Sequence, residues 1–345
     1  MYLNSVLSMG ISSLFSGLLC ACVRVLREGN SFFFLGLHAF IICAFLLIAK
    51  LASLFFKKKK KRHCSFVLYS YPVLTMKCFY VGKRTYQSVL AVQERLFNSK
   101  IERQISIQRK ETTLPLLPDV AILVEHANSV YTLGRRDTSA GLPQDGAVEV
   151  VRTKRGGGIT YLGPGQVTMY PIANIQRLWK GCASPQKVRS PIEWFSAVLE
   201  QSMMQVAAAH QIPTHPYKTG VWADTYKGTN ARKLGSIGLQ LGSWVSMHGA
   251  ALNVTTDLSY FDRIVMCELP GKSATSLSQE IRLRQLAVEV PSVAAVAQLL
   301  YANFTENLHQ APDRYTCHPV LDVSTRDDWD TFLLESAGCE PLDRK

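Results

Sequence analysis

Residues 155–166 read Arg-Gly-Gly-Gly-Ile-Thr-Tyr-Leu-Gly-Pro-Gly-Gln, and the rest of the chain is organised around this segment. Five glycines and a proline in twelve residues exclude an ordinary helix or strand interior. Glycine loses too much backbone entropy there, and proline removes a hydrogen-bond donor. The segment is therefore either a wide turn between two strands or a loop that brings backbone close to a ligand, and its residues alone favour neither.

Strands are predicted on both sides of this segment, at Val148–Val151 and Val167–Ile175. Other strand-like stretches are Val120–Glu125, Val221–Ala223, Lys233–Leu241, Val245–Val254 and Ile264–Met266. Helices are predicted from Tyr86 to about Gln104, from Pro191 (with Ser190 as N-cap) to before Pro213, and over Val293–His309. These elements do not alternate as regular βαβ units. They predict an α+β domain, α/β in the broad sense, with a mixed or antiparallel sheet flanked by helices.

The positive charge is concentrated at the N-terminus. The chain of 345 residues has a net charge of +12, and residues 1–75 hold nine of the 38 Lys and Arg but one of the 26 Asp and Glu. The other 29 basic and 25 acidic residues leave a balance of +4. Such a balance is not typical of a nucleic-acid-binding domain, so no nucleic-acid partner is predicted.

Residues 1–75 form a hydrophobic and basic extension with several interpretations. The apolar stretch 32–56, followed by the basic block 57–62, has the length of a short membrane span, so membrane association is one expectation. A mitochondrial presequence is another, supported only by the shortage of acids. A third is that translation starts at Met76. The predicted organisation is this extension, a catalytic domain over 76–310, and a tail over 311–345 that shows little pattern.

Two residues with reactive side chains, Cys267 and Lys233, are candidate catalytic residues. Cys267 follows an apolar run and precedes a turn, and a thiolate is a strong nucleophile, although a lone cysteine is more often a buried structural residue. Lys233 opens a strand that contains two glycines, although a lysine is more often a solvated surface charge. An ammonium group beside a thiol lowers the thiol pKa and can carry its proton. His126 and His248 are the competing bases. The nine cysteines include no Cys-x-x-Cys pair, so no metal is predicted.

Nine short motifs occur one after another between residues 125 and 277. They are Glu125-His126, Tyr131-Thr-Leu-Gly134, Arg155-Gly-Gly-x-x-Thr-Tyr161, Gly163-Pro-Gly-Gln166, Lys233-x-x-Ser-x-Gly238, Met247-His-Gly-x-Ala-Leu-Asn-Val254, Asp257-Leu-Ser259, Cys267 and Thr275-Ser-Leu277. In this order the chain resembles the lipoyl(octanoyl) transferase family over about residues 80–310. The resemblance implies the α/β fold that this family shares with biotin and lipoate ligases.

The resemblance also implies an activity. Members of the family transfer an octanoyl group from acyl carrier protein to a lysine of a lipoyl domain, through an acyl-cysteine intermediate and without a cofactor. The acceptors would be lipoyl domains of 2-oxoacid dehydrogenase complexes and the glycine cleavage H protein. By position, Cys267 would be the nucleophile, Lys233 would lower its pKa, and His248 and His126 would be secondary. The implied acyl pocket comprises Arg155, Gly156, Gly157, Gly158, Ile159, Thr160, Tyr161, Leu162, Ser236, Ile237, Gly238, Gly249, Ala250 and Ala251.

Two motifs depart from the family pattern. Leu162 replaces the usual histidine after the Thr-Tyr pair, and Met266-Cys267-Glu268 replaces the usual Pro-Cys-Gly at the nucleophile. The third glycine, Gly158, resembles the ligases. An ATP-dependent ligase and a non-catalytic binding protein on the same fold therefore remain alternatives. Acidic carrier partners would be attracted by a basic rim, for which Arg152, Lys154 and Arg232 are candidates.

Overall fold

The protein is described from a computed structural model that covers residues 74–136, 142, 146–181, 190–215, 218–223, 231–265, 271–308 and 315–342. Its strands are β1 (Leu74–Arg84), β2 (Asp119–His126), β3 (Val130–Leu133), β4 (Glu149–Arg152), β5 (Ile159–Leu162), β6 (Gln166–Ile172), β7 (Thr214–His215), β8 (Val221–Ala223), β9 (Arg232–Gly242), β10 (Val245–Asn253), β11 (Ser273–Ala274) and β12 (Tyr315–Asp322). Its helices are α1 (Tyr86–Gln108), α2 (Ile175–Gly181), α3 (Pro191–Ala209), α4 (Ser259–Asp262), α5 (Leu277–Leu283), α6 (Val293–Leu308) and α7 (Trp329–Ser336).

Two sheets organise these elements. The large sheet has the strand order β12-β1-β2-β6-β10-β9-β8-β7, and β11 pairs with β9. Its β12, β1 and β2 run parallel to one another, whereas β2, β6, β10, β9 and β8 are joined by antiparallel pairs. The small sheet has the order β4-β3-β5. The prediction of a mixed sheet flanked by helices is confirmed.

The two faces of the large sheet bury different sets of residues. On the first face, α3 and α6 pack over β6 and β10, where Met169, Ala250 and Leu252 are buried. On the second face, α1 packs over β6 and β10, α7 packs against α1 and β1, and Ile122 of β2 and Tyr170 of β6 belong to the core. The small sheet lies beside α1, since Val130 and Leu162 share a buried cluster with Tyr86 and Ala251. Each face thus buries alternate residues of the same strands.

Helix caps account for two of the predicted starts. The Ser190 hydroxyl accepts a hydrogen bond from the backbone N–H of Glu193 at 3.2 Å, and Pro191 occupies the first turn, as expected. The Thr85 hydroxyl accepts from the N–H of Ser88 at 3.3 Å and starts α1. That helix continues to Gln108, four residues beyond its predicted end.

Two predicted strands are corrected. The strand expected to reach Ile175 ends at Ile172, because the Asn174 side chain accepts from the N–H of Arg177 at 3.0 Å and starts α2. In the stretch 264–266, Ile264 and Val265 are not in a strand, and Met266 lies outside the described residues. The N–H of Ile264 donates to the Phe261 carbonyl at 3.3 Å, so this apolar run is a turn after α4.

The segment after Pro312 also differs from expectation. It forms β12, which pairs in parallel with β1, and α7, which buries Trp329, Leu333 and Leu334 in the core. The edge strand β12 is mostly exposed, and such a strand has little hydrophobic periodicity to reveal it.

The N-terminal extension is almost wholly outside the described residues, including 32–56 and the basic block. Within the residues that the structure describes, no helix is long and apolar enough to cross a membrane. Met76, the candidate late start, is fully buried inside β1 and pairs with Asp119 of β2.

Candidate active site

A pocket lies between the second face of the large sheet and the small sheet. It has about 520 Å³ of empty space, its open side included. Its floor is a row of small residues, in which Ser236 and Gly238 of β9 pair with Ala251 and Gly249 of β10. The side chains of this row are too short to fill the space above the sheet, and the unfilled space is the pocket. Its lining comprises Tyr86, Thr132, Arg155, Gly157, Gly158, Thr160, Leu162, Thr168, Tyr170, Ser236, Ile237, Gly238, His248, Gly249, Ala250 and Ala251.

The glycine-rich segment contributes one wall of this pocket. The N–H of Gly156 donates to the Leu239 carbonyl of β9 at 2.9 Å, which ties the loop to the large sheet. The N–H of Arg135 donates to the Arg155 carbonyl at 2.9 Å, which ties it to the small sheet. Gly157 has a φ of +88°, a conformation that side chains rarely adopt. Residues 155–158 are thus a loop held close to both sheets, whereas residues 159–162, for which no strand was predicted, form β5 and pair with β3.

Arg155 braces this wall from inside. Its guanidinium donates to the Thr132 carbonyl at 2.6 Å, to the Thr132 hydroxyl at 2.8 Å and to the Gly156 carbonyl at 3.0 Å. The side chain is buried, and these bonds hold the loop against β3. Arg155 lines the pocket as predicted, and much of its hydrogen bonding serves the protein backbone.

The second half of the segment, 163–166, serves the fold. The Glu125 carboxylate accepts from the N–H of Gly165 at 2.9 Å, and the Gly165 carbonyl accepts from the N–H of Val254 at 3.0 Å. The Gln166 side-chain amide donates to the Asn253 side chain at 2.8 Å. These contacts anchor the turn between β5 and β6 to the end of β10.

Lys233 lies in a cleft that adjoins the pocket. The cleft has about 1150 Å³ of empty space, its open side to solvent included, and shares Gly157, Ile237 and Gly238 with the pocket lining. The Lys233 side chain is buried, and its ammonium lies 5.3 Å from the centre of the Trp222 ring. The Glu200 carboxylate is near: burial raises the pKa of Glu200, while the N–H of Gly220 and the charge of Lys233 lower it. The Lys233 ammonium is therefore buried between an aromatic ring and a nearby carboxylate.

Cys267 lies outside the described residues, as does Glu268. The described residues on either side of them are firmly placed. Ile264 and Ala274 share one buried cluster, and Ala274 pairs with Lys233 through β11 and β9. The chain that leads into and out of this stretch therefore lies beside the Lys233 strand.

A buried polar network supports β11. The Glu280 carboxylate is fully buried and pairs with Arg232 at 2.9 Å and with Arg284 at 3.0 Å. The Thr275 hydroxyl donates to Glu280 at 2.6 Å, and the Thr275 carbonyl accepts from Asn253 at 2.8 Å. Arg232 therefore neutralises a buried acid, which corrects its expected place in a basic docking rim.

The two histidines have different positions. His126 is fully buried and shares a hydrogen bond of 2.7 Å with the Tyr170 hydroxyl, so it lies behind the pocket wall. His248 lines the pocket itself. Burial lowers the pKa of each histidine to about 4, and the Arg155 charge adds to this effect at His248. Both imidazoles are neutral at neutral pH.

The structure separates the predicted pocket residues into three groups. Arg155, Gly157, Gly158, Thr160, Leu162, Ser236, Ile237, Gly238, Gly249, Ala250 and Ala251 line the pocket, together with His248. Gly156 and Lys233 line the adjoining cleft. Ile159 and Tyr161 are placed elsewhere, in a buried cluster with Tyr131 and Phe261. Strand alternation explains this correction, because Thr160 and Leu162 occupy the pocket face of β5 and their neighbours face away.

Four lining residues were missed by reasoning from sequence: Tyr86, Thr132, Thr168 and Tyr170. Thr132 lies within a quoted motif, Tyr131–Gly134, which could have identified it. Thr168 and Tyr170 depend on which face of β6 is turned to the small sheet, and only register decides that. In the described part of the chain, no group of three or more His, Cys, Asp or Glu side chains is arranged to hold a metal ion.

Comparison with known proteins identifies the family. The lipoyl protein ligase A/B catalytic domain matches residues 85–305. The chain belongs to this family. An octanoyltransferase of Flavobacterium johnsoniae is 35% identical over 60% of this chain and 87% of its own length. A mitochondrial octanoyl-acyl-carrier-protein:protein N-octanoyltransferase of Danio rerio is 33% identical over 68% of this chain and 92% of its own length. Among solved structures, a putative lipoate protein ligase from T. acidophilum with bound lipoic acid has a TM-score of 0.49 and 12% identity, covering 75% of this chain and 96% of its own.

The family indicated by the motifs is thereby confirmed, and the protein is an acyltransferase. The matched region 85–305 contains the glycine loop, the pocket floor and Lys233. It ends before β12 and α7, which complete the sheet and core outside the matched region.

Proposed function

We propose that this protein transfers an octanoyl group from acyl carrier protein to a lysine of a lipoyl domain, through a thioester on Cys267. The observation that carries this proposal is a pocket floored by small side chains beside a cleft that holds a buried lysine. The curated relatives are named as octanoyltransferases, and one of them as acting on octanoyl-acyl carrier protein.

The pocket suits an unbranched aliphatic chain. Glycines and alanines form much of its wall, so a narrow chain can contact backbone and Cβ atoms closely. Seven methylene and methyl carbons, buried at about 0.8 kcal/mol each, contribute roughly 5–6 kcal/mol of binding free energy. Each carbon contributes little by itself, so the length of the pocket must provide most of the selectivity.

The chemistry proceeds in two balanced steps. The Cys267 thiolate attacks the donor thioester carbonyl, a new carbon–sulfur bond forms, and the carrier thiolate leaves. The acceptor lysine amine then attacks the acyl-cysteine, an amide bond forms, and the cysteine thiolate leaves and takes the surplus proton. The first step exchanges one thioester for another, and the second forms a stable amide. No nucleotide is required.

Lys233 is the proposed partner of the thiol. A buried ammonium group is screened less by water, so it stabilises a nearby thiolate more strongly than an exposed one does. The pairing of Ala274 with Lys233 supports this role, because it holds the chain that follows Cys267 against the Lys233 strand. The cation would lower the thiol pKa by stabilising the thiolate charge before the attack and again when the cysteine thiolate leaves.

The adjoining cleft is the proposed entrance for both carriers. Arg136, Lys218 and Lys233 place positive charge around it, and Arg152 and Lys154 are exposed on the neighbouring strand end. Such a surface attracts acidic carrier domains and accelerates their encounter. A mitochondrial location is proposed on the name of the Danio rerio relative, and mass mapping of the native N-terminus would test it.

The test is transfer from octanoyl carrier protein to a purified lipoyl domain, followed by intact mass. We expect the Cys267→Ala variant to be inactive and the wild type to form an octanoyl adduct on Cys267. Cys339→Ala, which removes a buried thiol in the core beside α7, is the matched control and should retain activity.

Full activity of Cys267→Ala would exclude the cysteine mechanism. Product formed from free octanoate and ATP, without carrier protein, would instead indicate a ligase. If the wild type forms no octanoyl adduct on Cys267 but binds octanoate tightly, the result would indicate a binding protein.

A further inference from the structure

His248 stands between two separate spaces. It lines the pocket, and it also lines a surface groove between α1 and the start of β10, which has about 790 Å³ of empty space with its open side to solvent included. Among the described residues, His248 alone belongs to both linings. The side chain is only 4% exposed, so it is packed tightly where the two spaces meet.

The backbone fixes this side chain in place. His248 has a φ of +60°, in the left-handed region that non-glycine residues seldom adopt. Its N–H donates to the side-chain carbonyl oxygen of the buried Gln93 at 3.2 Å, which ties β10 to α1. Strain of this kind persists only where the surroundings impose it, and it is concentrated at functional positions.

The groove offers a continuation for an aliphatic chain. Leu90, Phe97 and Met247 contribute apolar surface to its lining, while Glu94 and Lys154 are exposed charged residues within it. An acyl chain that passed the imidazole would contact these three apolar side chains and, around them, six polar or charged lining residues. The low pKa of His248 keeps the imidazole uncharged, so the barrier is its volume.

We propose that His248 limits the length of the acyl chain by closing the pocket off from this groove. The inference rests on the proposed function, since it concerns the acyl group that the pocket would hold. The ligands that it excludes are saturated acyl chains longer than octanoyl.

The test replaces the imidazole without straining the backbone. Glycine adopts the φ of residue 248 freely, so His248→Gly removes the partition alone. Gln240→Ala is the matched control, because Gln240 lines the groove but not the pocket. Binding of octanoic, decanoic and dodecanoic acids is measured by calorimetry, and transfer is measured from the corresponding acyl carrier proteins.

Each additional buried methylene improves affinity about fourfold, so His248→Gly should bind decanoic acid about 15-fold more tightly than octanoic acid. The wild type and Gln240→Ala should show no such gain, and transfer should follow the same order. If folded His248→Gly keeps the wild-type length preference while the wild type transfers octanoyl, the partition is refuted and the proposed function stands. If the wild type neither binds these acids nor transfers octanoyl, the proposed function fails and the inference fails with it.

Discussion

Gly238 offers a sharp test of the glycine-loop wall. A Cβ added at residue 238 would lie 2.8 Å from Cδ of Arg155 and 3.3 Å from the Gly156 carbonyl oxygen. Arg155 cannot move aside freely, because its guanidinium holds Thr132 and Gly156 through hydrogen bonds. In the Gly238→Ala variant, either these bonds break or the loop shifts.

The magnitude follows from those contacts. Losing one or two such hydrogen bonds costs about 1–3 kcal/mol of the free energy of unfolding. A loop displaced by about 1 Å from its productive position lowers the transfer rate about a hundredfold. Chemical denaturation measures the first quantity, and kcat/KM for octanoyl transfer to a lipoyl domain measures the second.

Gly242 provides the matched control on the same strand. A Cβ at residue 242 would lie 2.7 Å from Cζ of Phe97 and 2.9 Å from Cδ1 of Ile101, so Gly242→Ala also overcrowds the structure. Residue 242 does not line the pocket. Its variant should lose about 1–3 kcal/mol of stability and keep kcat/KM within about threefold. Equal losses of activity in both variants, or full activity in Gly238→Ala, would refute the role assigned to the wall.

Three further predictions follow from the buried groups. Leu162→His places an imidazole among Tyr86, Val130 and Ala251, so we expect a loss of about 1–3 kcal/mol in unfolding experiments, with turnover within about tenfold of wild type because the nucleophile lies elsewhere. A larger gain in turnover would show that the loop had lost a chemical role. Glu280→Gln removes the buried negative charge that pairs with Arg232 and Arg284 and should cost about 3–5 kcal/mol, whereas Glu289→Gln, at an exposed position outside the helices and strands, should cost little. For the pH dependence, burial lowers the pKa of His126 and His248 from the ordinary histidine value of 6.5 to about 4 in the folded state, so the unfolded state binds more protons between those values. Stability is therefore fully present above about pH 6.5 and falls as pH is lowered towards 4, by up to about 3 kcal/mol per histidine, and a flat denaturation profile over this range would contradict the burial.

Several elements could be predicted because their signals are local. The start of α3 depends on Ser190 and Pro191, which act within one turn of the helix. The antiparallel strands β9 and β10 were expected within one residue of their ends, since a two-residue connection, Ser243 and Trp244, joins them directly. The order of motifs was sufficient to indicate the family, because it does not require knowledge of which residues touch.

Other features could not be predicted because they depend on partners distant in the chain. β12 pairs with β1 across more than two hundred residues, and an exposed edge strand carries no periodic pattern of its own. Arg232 was predicted to be a surface cation, whereas in the structure it pairs with the buried Glu280 carboxylate. Both Tyr161 and Leu162 were predicted to line the pocket. In the structure only Leu162 lines it, and Tyr161 packs in a separate buried cluster.

The sequence by itself determined the family, the mixed α and β character, and the irregular backbone at Gly156–Gly158 and Gly163–Gly165, but not the strand β5 between them. These properties follow from residue types and their order along the chain. Only the tertiary structure decided that Ser236, Gly238, Gly249 and Ala251 form one floor, and that Lys233 lies in the adjoining cleft. It also decided that His248 separates the pocket from the groove. The physical reason is register: a shift of one residue in any of these strands would turn the same side chains to the opposite face.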